Sequence, residues 1–135
     1  MGVIFDSSEI IAIERNRGLL SAIIAGREDD SFGISAITVS ELLHGVERAD
    51  TEVRRLKRQA FVEKVLELFP VYPFDTAAAR IHARIWAELA KRGQSVGAHD
   101  LIIAATAISL SFTVVTSNLR DFEKIKGLQV EQRGG

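Results

Sequence analysis

The chain has 135 residues, 47% of them hydrophobic and 26% charged, and a formal net charge of −1. This length fits one domain over residues 1–135, and the composition is typical of a soluble globular protein rather than a disordered one. No apolar run reaches the roughly 18 residues of a membrane span, no basic export signal is recognisable, and there is no cysteine, so we expect a cytoplasmic protein with no membrane partner, disulfide or thiolate metal site. The balanced charge excludes a broad basic surface for nucleic acid, but it allows a small catalytic site that handles phosphates through a metal ion.

The chain begins with an apolar run, Val3 to Phe5, that ends directly in the carboxylate of Asp6. Such a run is typical of a strand buried on both faces in a parallel sheet. A helix capped by Ser7 or Ser8 is predicted to follow. After it, the pattern predicts a helical piece over 19–25 and a short strand over 31–35.

The middle of the chain is predicted to be mostly helical. Thr38 and Glu41 have the spacing of a capping box, which predicts that a helix begins after Thr38 and runs to about residue 48. Thr51 is predicted to cap a longer, highly charged helix that ends near residue 69. The apolar residues of this helix expected to face the core are Val53, Leu56, Ala60, Val65 and Leu68.

The second half of the chain continues to alternate strands with helices. The predicted elements are an edge strand within 70–74, a helix from 75 or 76 to 93, a helix over 98–110, a strand over 112–116, a turn with one helical turn over 117–122, and a strand over 128–131. The helix over 98–110 is apolar nearly all round, which indicates a central, buried helix. This alternation predicts an α/β fold with a parallel sheet and right-handed crossovers. The Gly134-Gly135 tail is expected to fray.

Four carboxylates stand at the ends of predicted elements: Asp6, Glu41, Asp100 and Asp121. Each has a local explanation, as a cap or as an acid in the first turn of a helix. Together they occupy positions that can converge on one cleft of a doubly wound sheet. Carboxylates about 4 Å apart repel by about 4 kcal/mol per pair at an effective dielectric near 20, so such a cluster must take up protons or a cation. Oxygen ligands of this kind select Mg²⁺ or Mn²⁺.

Four motifs resemble those of the PIN-domain nucleases. They are Asp6-Ser7-Ser8, Thr38-x-Ser40-Glu41-Leu42, the run from Asp100 to Ala107, and Thr116-Ser117-Asn118-x-x-Asp121-Phe122. Within that superfamily the chain is most similar to the VapC toxins of bacterial and archaeal type II toxin–antitoxin pairs. The resemblance covers essentially the whole chain.

The resemblance implies a PIN-like three-layer α/β sandwich with a five-stranded parallel sheet of order 3-2-1-4-5, whose topological switch point lies beside Asp6. It implies a Mg²⁺-dependent ribonuclease, with Mn²⁺ as the alternative ion. It also implies a cognate VapB-type antitoxin and a homodimer, for which the charged helix predicted over 51–69 and its neighbours offer a surface.

The resemblance also implies which residues form the site. The acidic cluster would be Asp6, Glu41, Asp100 and Asp121. Asp6 and Asp100 are the expected direct metal ligands, Glu41 would orient the attacking water, and Asp121 would hold a second ion or reach the first through water. The supporting polar residues would be Ser7, Thr116, Ser117 and Asn118.

Other interpretations stay open at this point. A PIN-domain RNA-processing nuclease without an antitoxin would use the same acids. A phospho-receiver module would want a lysine after its last strand, and a metal-binding or dimerisation module would use the acids only as caps. His44 lies three residues after Glu41, as in di-iron bundles, but no second such pair exists, so we expect an ordinary helix residue. His99 gains no role from the resemblance.

Overall fold

The computed structural model describes residues 2–132, and its strands form a parallel sheet. The strands are β1 (Gly2–Phe5), β2 (Ser31–Ser35), β3 (Val71–Tyr72), β4 (Thr113–Thr116) and β5 (Val130–Gln132). Their order in the sheet is β3-β2-β1-β4-β5. The expected α/β fold and strand order are therefore confirmed.

Helices cover both faces of this sheet, which gives three layers. They are α1 (Ser7–Arg15), α2 (Ala36–Glu47), α3 (Glu52–Leu68), α4 (Thr76–Lys91), α5 (Ala98–Leu110) and the short α6 (Leu119–Phe122). Successive strand side chains point to opposite faces, so β1 contributes to two cores. Phe5 packs into a core with α1, α2 and α3, whereas Ile4 packs into a core with α4, α5 and α6.

The sheet order reverses at β1, which pairs with β2 on one side and with β4 on the other. Asp6 continues this pairing beyond the end of β1, because its backbone N–H donates to the carbonyl oxygen of Val115 at 2.9 Å. In open parallel sheets, ligands bind in the crevice outside the carboxyl ends of the strands at such a switch point. Asp6 and Thr116 both lie there.

Two of the predicted helix caps are confirmed. The hydroxyl of Thr51 accepts a hydrogen bond from the backbone N–H of Arg54 at 3.1 Å, and the carboxylate of Asp75 accepts one from Ala78 at 2.9 Å. These bonds satisfy N–H groups in the first turns of α3 and α4, which have no partner within the helix.

The capping box predicted at Thr38 and Glu41 is wrong. Helix α2 begins at Ala36, and the buried hydroxyl of Ser35 accepts the hydrogen bond from Ile37 at 3.2 Å. The helix starts early because β2 runs into it without a loop. Thr38 is then a buried residue of the first turn, and Glu41 lies one turn further on, where its carboxylate has no capping role.

Two other expectations need correction. The helical piece over 19–25 is only a 3₁₀ turn over Leu20–Ala22. Val53 and Leu56 do not face the core, since they are 63% and 56% exposed, and Ala60 is exposed as well. Val65 is buried as expected, and the other buried residue of α3 is Val62. The predicted fraying at 134–135 lies outside the described residues. No helix within residues 2–132 is long and apolar enough to cross a membrane.

Two glycines give a matched test of this packing. A Cβ on Gly33 of β2 would lie 2.5 Å from the carbonyl oxygen of Pro70, whereas a Cβ on Gly45 of α2 would meet nothing within 4 Å. We expect Gly33→Ala to lower the free energy of unfolding by about 1–3 kcal/mol. Gly45→Ala should raise it by about 1 kcal/mol because alanine favours the helix. Urea denaturation measures both, and a neutral Gly33→Ala would contradict the packing of the 70–72 segment against β2.

Candidate active site

Asp6 is the most enclosed of the four predicted acids, with only 4% of its surface exposed. Its partners are hydroxyl groups. Thr116 donates to Oδ2 at 2.8 Å, Ser8 donates to the same oxygen at 2.9 Å, and Ser7 lies 3.5 Å from Oδ1. A buried carboxylate is costly unless it is hydrogen-bonded, so these donors hold the side chain in one direction without neutralising its charge.

Thr116 links β4 to Asp6. While its hydroxyl donates to Asp6, the same oxygen accepts a hydrogen bond from the backbone N–H of Asn118 at 2.9 Å. Asn118 therefore acts through its backbone, and its exposed side chain, like that of Ser117, makes no contact with Asp6 that would orient the carboxylate. Ser8 is the donor to Asp6 that the motif comparison left out of the site, although its place two residues after Asp6 allows such a bond.

Asp100 is brought close to the other acids at the first turn of α5. Its pKa is raised to about 6, first because burial disfavours the charged form and then because the charges of Asp6, Asp121 and Glu41 repel it. The amino end of α5 acts in the opposite direction, since helix N-termini stabilise negative charge. The four acids predicted from the sequence thus act on one another electrostatically through Asp100.

Glu41 lies on α2 and faces the same group. Burial raises the pKa of Glu41, and the charge of Asp6 adds to this, while His99 and the Ser7 hydroxyl lower it. Its Oε2 lies 3.6 Å from Nδ1 of His99, whereas its Oε1 is buried and accepts no hydrogen bond. An orphaned buried carboxylate oxygen is unfavourable unless a proton or a cation reaches it.

Two basic residues of the site were missed by the sequence analysis. His99 lies beside Glu41, and the ammonium group of Lys124 lies 3.2 Å from Oδ1 of Asp121 and 3.1 Å from the carbonyl oxygen of Ser95. The place of His99 directly before Asp100 was a signal for its contact with Glu41. The contact between Lys124 and Asp121 had a local signal as well, because Lys124 follows Asp121 by one turn.

The four acids suit a hard divalent cation chemically, since each supplies carboxylate oxygens and the buried Oε1 of Glu41 has no hydrogen-bond partner. The side chains are not yet gathered around one point: among residues 2–132, no three His, Asp or Glu side chains are arranged so that they could hold a metal ion. Instead Asp6 points to hydroxyls, Glu41 to His99 and Asp121 to Lys124. Side-chain rotation would have to bring the oxygens together.

The family model described as PIN domain matches residues 3–128. Ribonuclease VapC1 of Rickettsia felis is 40% identical over 133 residues, which cover 96% of this chain and 95% of its own length. The tRNA(fMet)-specific endonuclease VapC of Salmonella typhimurium is 43% identical over 98 residues, or 73% of this chain and 72% of its own.

Solved structures give the same picture. The crystal structure of DNA-bound VapBC from Salmonella typhimurium matches with a TM-score of 0.88 at 32% identity, and the match covers 98% of both chains. VapBC-1 from nontypeable Haemophilus influenzae matches with a TM-score of 0.84 at 27% identity, again over 98% of both chains.

The raised pKa of Asp100 predicts a pH-dependent stability. Between its ordinary value of 3.8 and about 6, the folded protein binds more protons at Asp100 than the unfolded chain, so stability falls as pH rises through this window. Asp100→Asn removes the charge, and it should raise the free energy of unfolding of the metal-free protein most above about pH 6. The gain should shrink as pH falls toward 3.8.

Denaturant unfolding in EDTA at neutral and at mildly acidic pH measures this difference. Asp29→Asn, a substitution of an exposed acid in the loop before β2, is the matched control and should change little at either pH. A gain for Asp100→Asn that is equal at both pH values would contradict the electrostatic origin.

Proposed function

The chain belongs to the PIN-domain family, and on that premise we propose that it is a divalent-metal-dependent ribonuclease that acts as the toxin of a type II toxin–antitoxin pair. One observation carries the catalytic part: the buried, hydroxyl-bound Asp6 lies at the switch point of the sheet, and its charge adds to the burial that raises the pKa of both Glu41 and Asp100. The names of the relatives, ribonuclease and endonuclease, support a nuclease.

Asp6 and Asp100 are the proposed direct ligands of Mg²⁺, with Mn²⁺ as the alternative. When bound, such an ion lowers the pKa of a water molecule and stabilises the negative charge that develops on the phosphate. Thr116 and Ser8 keep the Asp6 carboxylate in place, which is the usual task of residues behind a metal ligand. No side-chain nucleophile is required, because water attacks the phosphodiester.

We assign to Glu41 the role of orienting the attacking water. Its buried Oε1 has no hydrogen-bond partner, and its raised pKa improves it as a proton acceptor, so it can orient the water and take up its proton. Asp121 has a different environment, because Lys124 already compensates its charge at 3.2 Å. We therefore place Asp121 outside the direct ligands, in contact with the ion through water.

The toxin role rests on the partners of similar structures. The VapBC complexes match this chain over 98% of its length, which supports a VapB-type antitoxin as its partner. The alternative is an RNA-processing nuclease without an antitoxin. The family match favours either nuclease over a phospho-receiver module. The expected homodimer stays a prediction.

Substitution of the acids tests the catalytic proposal. Asp6→Asn and Asp100→Asn should each lower the rate of RNA cleavage by about 100-fold or more, since each removes a carboxylate that would hold the ion that stabilises the transition state. Gel analysis of a labelled RNA with Mg²⁺ measures the rate, and EDTA should abolish cleavage by the wild type. Asp29→Asn is the matched control and should cut at the rate of the wild type.

The same variants separate the toxin from the processing enzyme. Induced expression of the wild type should arrest growth, and Asp100→Asn should not. Co-expression of a cognate VapB-type antitoxin should relieve the arrest. Cleavage by Asp100→Asn at the rate of the wild type would refute the catalytic assignment, whereas cleavage without growth arrest would leave a nuclease that is not a toxin.

A further inference from the structure

An open surface depression of about 590 Å³ lies where α2 ends and α3 begins. It is lined by Arg48, Asp50, Arg54 and Arg58. Three guanidinium groups and one carboxylate give this depression a local charge of +2, in a chain whose net charge is −1. The depression contains none of the four acids of the candidate active site.

Two of the three arginines keep donors for a ligand. Arg54 is neutralised, because it donates to both oxygens of Asp50 at 2.7 and 2.8 Å. Arg58 donates one N–H to the carbonyl oxygen of Gly45 at 2.7 Å, so its other guanidinium N–H groups remain available to a ligand. Arg48 is exposed, and its side chain has no hydrogen-bond or ion-pair partner within the described part of the chain. Planar guanidinium forks of this kind match the oxygens of a phosphate group.

Helix geometry connects this depression with the candidate active site. Glu41 lies on α2, and Arg48 is the C-cap residue directly after its last residue, Glu47. Their spacing of seven residues is close to two helical turns, so both lie on one face about 10 Å apart along the axis. Gly45 lies between them on the same face, and a Cβ there would meet nothing within 4 Å. The surface at Gly45, between Glu41 and Arg48, is therefore open.

We propose that Arg48 and Arg58 form a phosphate-binding subsite for the substrate strand, about three stacked nucleotides away from the bond that is cut. This inference rests on the proposed ribonuclease function. An RNA strand that approaches four carboxylates is repelled by them, and a cationic site on the same helix face offsets that repulsion and sets the direction of the strand. RNA is favoured over an acidic peptide because the depression continues the face that carries Glu41.

Binding without cleavage tests the subsite. A fluorescent single-stranded decanucleotide and a dinucleotide are titrated, in EDTA, with the wild type, Arg48→Gln and Arg84→Gln. Arg84 lies exposed on α4 and is the matched control of equal charge. For the decanucleotide, Arg48→Gln should weaken binding about threefold to tenfold and reduce the slope of log K against log salt by about 0.7, the value for one phosphate contact of a single strand. The dinucleotide, too short to reach Arg48 from the acids, should bind all three proteins alike.

The other outcomes are decisive as well. Equal losses for Arg48→Gln and Arg84→Gln, or an equal loss for both lengths of RNA, would overturn the subsite in favour of unspecific charge. A decamer of glutamate that binds as tightly as the RNA and depends equally on Arg48 would overturn it in favour of a protein partner. If the wild type cleaves RNA but Arg48→Gln binds the decanucleotide normally, only this inference fails. If the wild type neither binds nor cleaves RNA, the proposed function fails with it.

Discussion

The hydrogen bond from Thr116 to Asp6 joins the two strands on which the candidate active site depends. Asp6 follows β1 and Thr116 ends β4, the neighbours between which the sheet order reverses. The bond holds a carboxylate that is 4% exposed, and it does so with a neutral donor. The negative charge of Asp6 is therefore kept inside the protein instead of being cancelled by a cationic side chain.

The behaviour of Asp100 and Glu41 depends on their burial and on this uncompensated charge. After burial, the charge of Asp6 contributes to the raised pKa of Asp100 and of Glu41, so it opposes the ionisation of both. His99 and Lys124 compensate part of the charge at the edges, beside Glu41 and Asp121. Uncompensated negative charge remains at the centre of the site, and a divalent cation would neutralise it.

One property of parallel sheets made both the strands and the positions of the acids predictable from the sequence. Buried parallel strands read as apolar runs, and residues that follow them lie at one edge of the sheet, so Asp6 could be placed from the pattern alone. The start of α2 could not, because Ser35 and Thr38 are both good caps and only the direct passage from β2 into the helix decides between them. The exposure of Val53 and Leu56 also escaped prediction, since it depends on which part of α3 lies against the core.

The contacts of the site itself were the least predictable. The pairing of Glu41 with His99 joins residues far apart in the chain, and its one signal in the sequence was the place of His99 directly before Asp100. The directions of the carboxylates are likewise set by partners from several elements, which is why four acids at the right positions still do not enclose an ion with the side chains as they stand. Sequence patterns placed the backbone of the site but not its rotamers.

The central claim is that the uncompensated charge around Asp6 and Asp100 is a binding site for a divalent cation. Thermal unfolding of the metal-free protein with increasing Mn²⁺ tests it most directly, because an ion that binds only the folded state stabilises it by about 2.7 kcal/mol at a hundredfold excess over its Kd. The account predicts a melting temperature that rises by several degrees in the wild type and stays constant in the Asp6→Asn, Asp100→Asn double variant. A wild type that does not respond to millimolar Mn²⁺, or a double variant that responds equally, would contradict it.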